Sequence, residues 1–508
     1  MKPNRPLCSW IPVLAGLASL AIAAAAQPSS SSRTPRPAHL LAPGSKPETI
    51  RPNFIVILVD DLGWRDLGIG GGQLYETPHI DKFARSAVRF TQAYSACTVC
   101  SPTRAALLTG QYPARIHVTD WIAGHVRPKA KLRVPDWTKE LLPETTTITE
   151  VLKGVGYSTA LIGKWHLGGT NSTPADHGFD LNIGGTDKGQ PPSYFSPYKI
   201  PTLKDGPVGE YLADRETDEA VKFIESHTNR PFFLYLPRYS VHTPLQAKPE
   251  KIAKYREKLA RVGGIHTDPI YAAMIESLDE GVGRILETLE KLRLDDRTVV
   301  IFTSDNGGLT LNGVTSNLPL RDGKGSAYEA GVRVPLFVRW PGHSRTNHAV
   351  NAPVITQDLF YTIAEIAGAP VPAAQPRDGQ SLAAALEKGL EPRRDSIYWH
   401  YPHYHPGGAT PYSAVRRGKW KLIEFLEDHR VELYNLETDP GERKDVAQMM
   451  PHVTETLKRS LESWRDQVGA QMPTANPGYD PTEPAPKAAK KKTAATPSGG
   501  AASVTPTD

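Results

Sequence analysis

The stretch Phe54–Trp64, which reads FIVILVDDLGW, decides the fold of this 508-residue chain. Its first six residues, 54–59, are all apolar and most of them are β-branched. A continuous apolar run of this kind is typical of a strand that is covered on both faces, as in a parallel sheet. The run ends in Asp60 and Asp61, and two carboxylates at the end of a buried strand are costly unless they are paired or bind a metal ion. The stretch therefore predicts a buried strand with functional carboxylates at its carboxyl end.

Three later stretches repeat this pattern of a buried strand followed by a polar loop. The apolar segments are Tyr157–Ile162, Pro231–Leu236 and Val299–Phe302. The loops that follow them carry Lys164 and His166, then His242, and then Asp305 and Asn306. Helical patterns lie between the strands, which predicts an α/β fold with a mostly parallel central sheet flanked by helices. Ligands bind beyond the carboxyl ends of the strands in such sheets, so we expect these loops to converge.

The N-terminus has the features of a secretory signal peptide. Two basic residues precede a largely apolar stretch, 10–25, that ends in alanines. An uncleaved membrane anchor is the alternative, but the stretch is short for spanning a bilayer and contains Pro12. We expect residues 1–26 to be removed on export to the periplasm or the extracellular space, which leaves no stable membrane insertion.

Composition divides the rest of the chain into four segments. A Ser- and Pro-rich linker (27–50) precedes a catalytic domain (51–390), and a smaller C-terminal domain (391–472) precedes a disordered tail (473–508). The C-terminal domain is predicted to be α+β, with an antiparallel hairpin of 414–423 and 431–436 that is covered by a helix. The net charge of +5 lies partly in the basic tail, so we expect no nucleic-acid binding. Without the signal peptide only Cys97 and Cys100 remain, so no disulfide framework is expected.

A second stretch, Cys97–Gly110, reads CTVCSPTRAALLTG and carries the most specific chemical pattern. Pro102 is typical of the start of a helix, so Cys100 is expected at a helix N-terminus, where amide N–H groups and the dipole favour negative charge. Arg104 lies one turn further along the same face. These features predict a place that holds an oxyanion. A buried structural thiol and a redox C-x-x-C pair with Cys97 are the alternatives.

The polar loops supply an acidic set and a cationic set of side chains. The acidic set is Asp60, Asp61, Asp305 and Asn306. Oxygen ligands of this kind favour a hard cation, Ca²⁺ or Mg²⁺, over zinc. The cationic set is Arg104, Lys164, His166, His242 and Lys324. A tetrahedral anion needs several donors that arrive from different directions, and this set supplies them.

The pattern Cys-x-Pro-x-Arg at 100–104, followed by Ala-Ala-Leu-Leu-Thr-Gly, resembles the signature of type I, formylglycine-dependent sulfatases. The resemblance covers roughly residues 50–475 and implies the alkaline phosphatase-like fold. In that family a maturation enzyme oxidises the cysteine to Cα-formylglycine, and the hydrate of this aldehyde is the nucleophile. The resemblance also implies that one Ca²⁺ is bound by the acidic set together with the converted Cys100, with Mg²⁺ the less favoured ion.

The resemblance implies a role for each member of the cationic set. Arg104 fixes the hydrated aldehyde, and Lys164 and His166 hydrogen-bond it and help its collapse. His242 and Lys324 bind the substrate sulfate, with His242 as the proton donor to the leaving oxygen, and Lys164 also contacts the substrate. One hydroxyl of the hydrate attacks sulfur and expels the alcohol, and the other then releases sulfate and restores the aldehyde.

The expected activity is the hydrolysis of sulfate monoesters on glycans or small molecules, with galactose or N-acetylgalactosamine sulfates favoured by resemblance. A phosphonate or phosphate ester hydrolase of the same superfamily, an inactive secreted sulfoglycan-binding protein and a C-x-x-C oxidoreductase are the alternatives. The loops Tyr401–His405 and Asp187–Lys188 are expected to line the substrate pocket, with plain surface loops as the alternative. Cys97 leaves open a disulfide with Cys100 that would block maturation.

Overall fold

The computed structural model describes residues 51–265 and 268–482, which lie in one compact unit. The strands are β1 (Asn53–Val59), β2 (Val88–Phe90), β3 (Ala93–Tyr94), β4 (Leu132–Arg133), β5 (Ser158–Ile162), β6 (Leu181–Ile183), β7 (Phe232–Pro237), β8 (Thr298–Ser304), β9 (Leu336–Arg339), β10 (His348–Val350), β11 (Val354–Ile355), β12 (Ile397–Tyr401), β13 (Tyr412–Arg417), β14 (Trp420–Phe425), β15 (Arg430–Asn435) and β16 (Thr474–Ala475). The helices are α1 (Pro78–Ser86), α2 (Cys100–Thr109), α3 (Pro113–Ile116), α4 (Ile148–Lys153), α5 (Leu212–Ser226), α6 (Pro249–Val262), α7 (Pro269–Lys291), α8 (Glu329–Val332), α9 (Asp358–Ala367), α10 (Ala383–Lys388) and α11 (Pro451–Val468). The predicted signal peptide 1–26, the linker 27–50 and most of the predicted tail lie outside the described residues.

The centre of the unit is an eight-stranded sheet with the strand order β10-β2-β9-β8-β1-β7-β5-β6. The five strands from β8 to β6 in this order run parallel to one another. β9 is antiparallel to both of its neighbours, β8 and β2. The predicted α/β fold with a mostly parallel central sheet is therefore confirmed.

β1 lies in the middle of this sheet, and all seven of its residues are buried. Its odd-numbered apolar side chains pack with residues of α1, α5, α6 and α7 on one face. Its even-numbered side chains pack with residues of α2, α4 and α9 on the other face. Burying one such side chain stabilises the fold by about 1.5–3 kcal/mol. In a strand covered on both faces, every side chain packs against a helix layer and none faces water. This is why the run 54–59 is apolar throughout.

The C-terminal part of the unit is a second sheet, antiparallel, with the order β12-β13-β14-β15. Helix α11 covers it with the buried side chains Leu457, Leu461, Trp464 and Val468. The smaller α+β region is thus confirmed, but its strands differ from the prediction. The stretch 414–423, expected to be one strand of a hairpin, spans parts of both β13 and β14, because the chain turns at Gly418 with a φ of 55°.

Ordered structure continues beyond 473, where the disordered tail was predicted to begin. β16 pairs antiparallel with β4. The Asn476 side chain donates hydrogen bonds to the carbonyls of Pro128 at 2.9 Å and Ala130 at 2.7 Å. The predicted boundary is therefore too early, because a two-residue strand leaves no periodic signal in the sequence. Within 51–265 and 268–482, no helix has both the length and the apolar composition needed to cross a bilayer.

The carboxyl ends of four parallel strands meet at one edge of the central sheet. β8, β1, β7 and β5 are consecutive neighbours in that order. Each is followed directly by one of the polar loops that the sequence singled out, so those loops start side by side. The topology thereby brings together residues that are far apart in the chain.

Candidate active site

Cys100 is the first residue of α2, and the helix begins two residues before the proline that predicted it. All ten residues of α2 are buried, and Cys100 is only 3% exposed. The first amide N–H groups of a helix have no partner within it, so this end favours an anionic group. The Cys100 Sγ and one carboxylate oxygen each from Asp60 and Asp305 all lie within 4.8 Å of one another. The cysteine therefore faces the acidic set, as the sequence predicted.

The Arg104 guanidinium is fully buried and ties α2 to the ends of the neighbouring strands. Its Nε and Nη2 donate to Asp305 Oδ2 at 3.0 and 2.7 Å, and its Nη1 donates to the Lys164 carbonyl at 3.1 Å. Nη2 also lies 3.6 Å from Asp60 Oδ2. Burial alone would lower the pKa of Arg104, but Asp305 and Asp60 outweigh it and raise that pKa. Arg104 is thus a permanent positive charge in a fixed place.

Asp60 is buried, and the protein satisfies only one of its two carboxylate oxygens. Lys164 Nζ donates to Asp60 Oδ2 at 2.5 Å, and both side chains are fully buried. Asp60 Oδ1 is buried without a hydrogen-bond partner within the described residues. Burial and the nearby Asp305 carboxylate raise the pKa of Asp60 to about 7. The protein groups alone therefore stabilise the Asp60 anion poorly, as expected of a carboxylate that binds a cation.

Asp61 sits beside Lys324, which arrives from a loop late in the chain. Lys324 Nζ lies 2.6 Å from Asp61 Oδ1 and 2.9 Å from Oδ2. Asn306 Nδ2 donates to Asp61 Oδ1 at 2.8 Å, and His242 Nε2 lies 3.6 Å from Asp61 Oδ2. Burial raises the pKa of Asp61, but Lys324, His242 and the Asn306 hydrogen bond outweigh it and hold the pKa below its usual range. Asp61 is therefore ionised in the folded protein.

The two histidines each hydrogen-bond a backbone carbonyl. His166 Nε2 bonds the Ile122 carbonyl, and its Nδ1 is buried without a hydrogen-bond partner within the described residues. His242 Nδ1 bonds the Thr243 carbonyl at 2.8 Å. Burial and nearby lysines lower the pKa of His166 well below its usual value and that of His242 to about 3. Both rings are neutral here, so His242 must first be protonated at Nε2 before it can donate a proton.

The donor set fits a hard divalent cation. Asp60 Oδ1 and Asn306 Oδ1 are buried oxygens without a hydrogen-bond partner within the described residues. Asp60 belongs to two groups of possible metal ligands, and the ligand atoms of each group lie close enough together to bind an ion. The first group adds Asp61 and His242, and the second adds Cys100 and Asp305. Carboxylate and amide oxygens are the ligands that Ca²⁺ and Mg²⁺ prefer, so these residues fit either ion.

Only part of the loop predicted to line the pocket does so. His405 and Lys324 line the same cleft of about 410 Å³. The other polar tips of the loop hold the fold together, since the Tyr401 hydroxyl bonds Asp120, the His403 ring bonds Thr119 and the Tyr404 hydroxyl bonds Glu427. Lys188 is exposed and Asp187 is partly exposed, and the two side chains pair at 2.7 Å. Neither lines this cleft, and neither does Cys100.

Two groups of the site carry no clear signal in the sequence. Ser101 Oγ donates to the His166 carbonyl at 2.9 Å and accepts from the Ile122 amide at 3.1 Å. The Ile122 carbonyl in turn bonds the His166 ring. The only signal for Ser101 was its position beside Cys100, and Ile122 acts through its backbone, which leaves no trace in side-chain patterns.

Cys97 is buried and unpaired, and so is Cys100. Burial raises the pKa of the Cys97 thiol to about 12 and also raises that of Cys100. A redox C-x-x-C pair depends on a readily formed thiolate, which this environment disfavours. The oxidoreductase alternative is therefore not favoured.

Comparison with known proteins gives a consistent result. Residues 52–369 match the family described as Sulfatase, and residues 323–467 match the family described as N-sulphoglucosamine sulphohydrolase, C-terminal. The chain is 31% identical over 507 residues to the N-acetylgalactosamine-6-O-sulfatase of Bacteroides thetaiotaomicron, covering 81% of this chain and 93% of that protein. It is 32% identical over 557 residues to the steryl-sulfatase of Mus musculus, covering 88% of this chain and 84% of that protein.

A solved structure shows the same similarity in three dimensions. It is a crystal structure described as Ps i-CgsB in complex with k-i-k-neocarrahexaose, with a TM-score of 0.70 and 31% sequence identity. The match covers 84% of this chain and 94% of that chain. It therefore extends over both the central sheet and most of the smaller C-terminal region.

Proposed function

The chain belongs to the sulfatase family and is a sulfatase, and on that premise we propose that it removes O-sulfate from sulfated glycans through a formylglycine at position 100 and a bound Ca²⁺. One observation carries this proposal. Cys100 Sγ, Asp60 and Asp305 present their ligand atoms within 4.8 Å of one another at the N-terminus of α2. A nucleophile, an acidic cation site and fixed positive charges at one spot match what the hydrolysis of an anionic ester needs.

Two of the similar proteins support the glycan class. The Bacteroides relative is named for an N-acetylgalactosamine sulfate, and the solved structure holds an oligosaccharide. The mouse relative is named for steryl sulfates. Faster hydrolysis of a steroid sulfate than of sugar sulfates would therefore contradict the proposed glycan substrate. Mg²⁺ in place of Ca²⁺ is a further outcome, since the oxygen ligands fit both ions.

When present, the formylglycine hydrate supplies two hydroxyl groups on one carbon, and the divalent cation supplies positive charge. The chain's own residues do the rest. Lys324 and His242 lie beside Asp61 and bind the sulfate oxygens of the substrate. His242 Nε2 takes up a proton from solvent next to the bound anion and passes it to the leaving alcohol oxygen. Arg104 and Lys164, whose positions Asp305 and Asp60 fix, hold the side chain at position 100 in place.

The fixed cations must supply most of the electrostatic stabilisation. A helix N-terminus contributes about 0.3–1 kcal/mol to binding a negative charge. Removing a single well-placed donor from a site that stabilises developing charge costs about 2.7–4 kcal/mol. The three cationic side chains Arg104, Lys164 and Lys324 therefore outweigh the dipole of α2.

We also propose that the protein is exported to the periplasm or the extracellular space and that a formylglycine-generating enzyme is its maturation partner. The basic and apolar pattern of residues 1–26 supports export. Sequencing the N-terminus of the mature protein tests this. A start near Gln27 is the expected result, and an intact residue 1 in the mature protein would contradict export with cleavage.

The activity is tested by a panel of esters with the purified protein. We expect turnover of nitrophenyl sulfate and of sulfated sugars, with nitrophenyl phosphate and phosphonate hydrolysed more slowly. Faster phosphate or phosphonate hydrolysis would favour the alternative within the superfamily. No turnover of any sulfate ester, with position 100 fully converted, would favour a binding protein.

A further inference from the structure

The loop between β12 and β13 of the C-terminal sheet reaches the cleft beside the sulfate-binding lysine. His405 on this loop lines the cleft together with Lys324. Tyr412 and Phe425 of the same sheet form part of the wall. The volume of about 410 Å³ lies within the range of roughly 300–1,000 Å³ typical of small-molecule sites. Lys324, which contacts Asp61, thus links the candidate active site to a cleft that the smaller region helps to form.

The His405 ring is held in one orientation. A Cβ at Gly325, whose φ is 86°, would lie 2.1 Å from His405 Nδ1, so the ring packs directly on the backbone beside Lys324. The Gly407 amide donates to His405 Nδ1 at 3.0 Å. The backbone of the loop closes through two hydrogen bonds of 2.9 Å, from His405 N to the Ala409 carbonyl and from Gly408 N to the His405 carbonyl. Turning the ring away would break its hydrogen bond with Gly407 and its packing on Gly325, and the two backbone hydrogen bonds hold the loop that carries it.

The other ring nitrogen of His405 is left for a ligand. Because Nδ1 accepts a hydrogen bond, the neutral ring carries its proton on Nε2. Burial and Lys324 lower the pKa of His405 to about 3, which keeps the ring neutral. Within the described residues no hydrogen bond is made by Nε2, although His405 is only 8% exposed. The polar tips of Tyr401, His403 and Tyr404, by contrast, all have protein partners.

We propose that the Nε2–H of His405 donates a hydrogen bond to an oxygen of the sugar that carries the scissile sulfate, so that His405 determines specificity for sugar sulfates. This inference rests on the proposed function. Lys324 both contacts Asp61 and lines this cleft, so a sugar attached to a sulfate bound by Lys324 can extend toward His405. A neutral donor suits a hydroxyl or ring oxygen, and a site built to hydrogen-bond such an oxygen rejects analogues that lack it.

The test compares two substrates on matched variants of the full-length, matured enzyme. The readout is the ratio of kcat/KM for a sulfated N-acetylgalactosamine or galactose to kcat/KM for nitrophenyl sulfate, which has no sugar oxygens. We expect His405→Leu to lower this ratio about tenfold or more, the size of one lost hydrogen bond to a polar substrate group. His405→Gln keeps an N–H donor near the position of Nε2, so most of the ratio should be retained. His452→Ala, an exposed histidine on α11, is the control and should leave the ratio unchanged.

Each outcome has a distinct meaning. A wild-type ratio in His405→Leu, with the wild-type enzyme active on the sugar sulfate, would overturn the role of His405 and leave the proposed function standing. A wild-type enzyme that hydrolyses nitrophenyl sulfate but no sugar sulfate would overturn the proposed glycan substrate itself. If circular dichroism shows that His405→Leu does not fold, the kcat/KM ratio of His405→Asn tests the role of His405 instead. The Asn side-chain amide reaches the position of Nδ1 but not that of Nε2. We expect the ratio of His405→Asn to fall as well, and an unchanged ratio would again overturn the inference.

Discussion

Two clusters of largely buried charge differ in how their atoms are paired. The catalytic cluster is Asp60, Asp61, Arg104, Lys164, Asp305 and Lys324. The bracing cluster is Glu329, Arg333, Lys421 and Glu442, which joins the end of the Lys324 loop to the C-terminal sheet. Both sets are largely shielded from water, so burial alone does not tell them apart.

Three of the four carboxylate oxygens of the bracing cluster accept a hydrogen bond, and the fourth, Glu442 Oε1, is in ion-pair contact with Lys421 but accepts no hydrogen bond within the described residues. Lys421 Nζ lies 3.2 Å from Glu329 Oε1 and 3.0 Å from Glu442 Oε1. Glu329 Oε2 accepts from the Tyr94 hydroxyl at 2.7 Å and from Arg333 at 3.0 Å, and Glu442 Oε2 accepts from the Glu329 amide at 2.6 Å. In the catalytic cluster, Asp60 Oδ1 has no such partner. The unpaired oxygen of Glu442 lies against a lysine, whereas Asp60 lies with Cys100 and Asp305 in a group that could hold a metal ion. An unpaired buried oxygen therefore points to function where other ligand atoms surround it.

The largest effect is expected from Asp305→Asn in the catalytic cluster. This change removes a negative charge that fixes Arg104 and that fits the cation site. We expect kcat/KM for nitrophenyl sulfate to fall by about 10⁴, or roughly 5.5 kcal/mol, together with the loss of bound metal measured by plasma mass spectrometry. The exposed Asp296→Asn is the control. Wild-type activity and metal content in Asp305→Asn would show that the metal assignment is wrong.

Lys421→Met should have the opposite profile. It leaves Glu329 and Glu442 buried without their shared cation, which costs about 3–5 kcal/mol when one partner of a buried pair is removed. We expect that loss in the free energy of unfolding from urea titration, while kcat per folded molecule stays close to that of the wild type. Lys419→Met, exposed at the adjacent turn, is the matched control. An inactive but fully stable Lys421→Met variant would contradict the purely structural role assigned to the bracing cluster.

Lys324→Ala tests whether a cation of the catalytic cluster acts in substrate binding. The change removes the positive charge beside Asp61 that we assign to sulfate binding. We expect kcat/KM to fall by about 10², or roughly 2.7 kcal/mol, with most of the change in KM. Steady-state kinetics on nitrophenyl sulfate measure this, with the exposed Lys388→Ala as control. A fall confined to kcat would contradict a binding role.

The smallest effect is expected from Cys97→Ala, since Cys97 belongs to neither cluster. Loss of one buried sulfur should cost about 1 kcal/mol of stability, with activity unchanged. Peptide mass spectrometry should also find the same converted fraction at position 100 as in the wild type. A higher converted fraction in the variant would reveal a disulfide that competes with maturation.

Much of the fold was predictable because burial on both faces leaves a strong local signal. The run 54–59 predicted β1, and Val299–Phe302 predicted the core of β8. Since both strands are parallel and end in acidic pairs, their carboxylates were expected at one edge, and the structure places them there. The helix containing Cys100 was likewise predictable from a proline and an arginine at fixed spacing.

The remainder depends on partners that the sequence does not name. The strand-like run 334–340 gave no indication that β9 runs antiparallel. Lys421 looked like an ordinary charged residue of a hairpin, because its partners Glu329 and Glu442 lie elsewhere in the chain. The polar side chains of the loop Tyr401–His405 look alike in the sequence. It does not show that Tyr401 and His403 hydrogen-bond within the fold while His405 lines the cleft.

The central claim is that the side chain at position 100, once converted, is the nucleophile of this cluster. Its most direct test is mass spectrometry of the tryptic peptide that ends at Arg104, in preparations with graded exposure to a maturation enzyme. Conversion replaces the SH group and one Cβ hydrogen with one doubly bonded oxygen. We predict that sulfatase activity rises in proportion to the converted fraction and is absent when that fraction is zero. Full activity in a preparation whose peptide carries only the thiol would contradict the account.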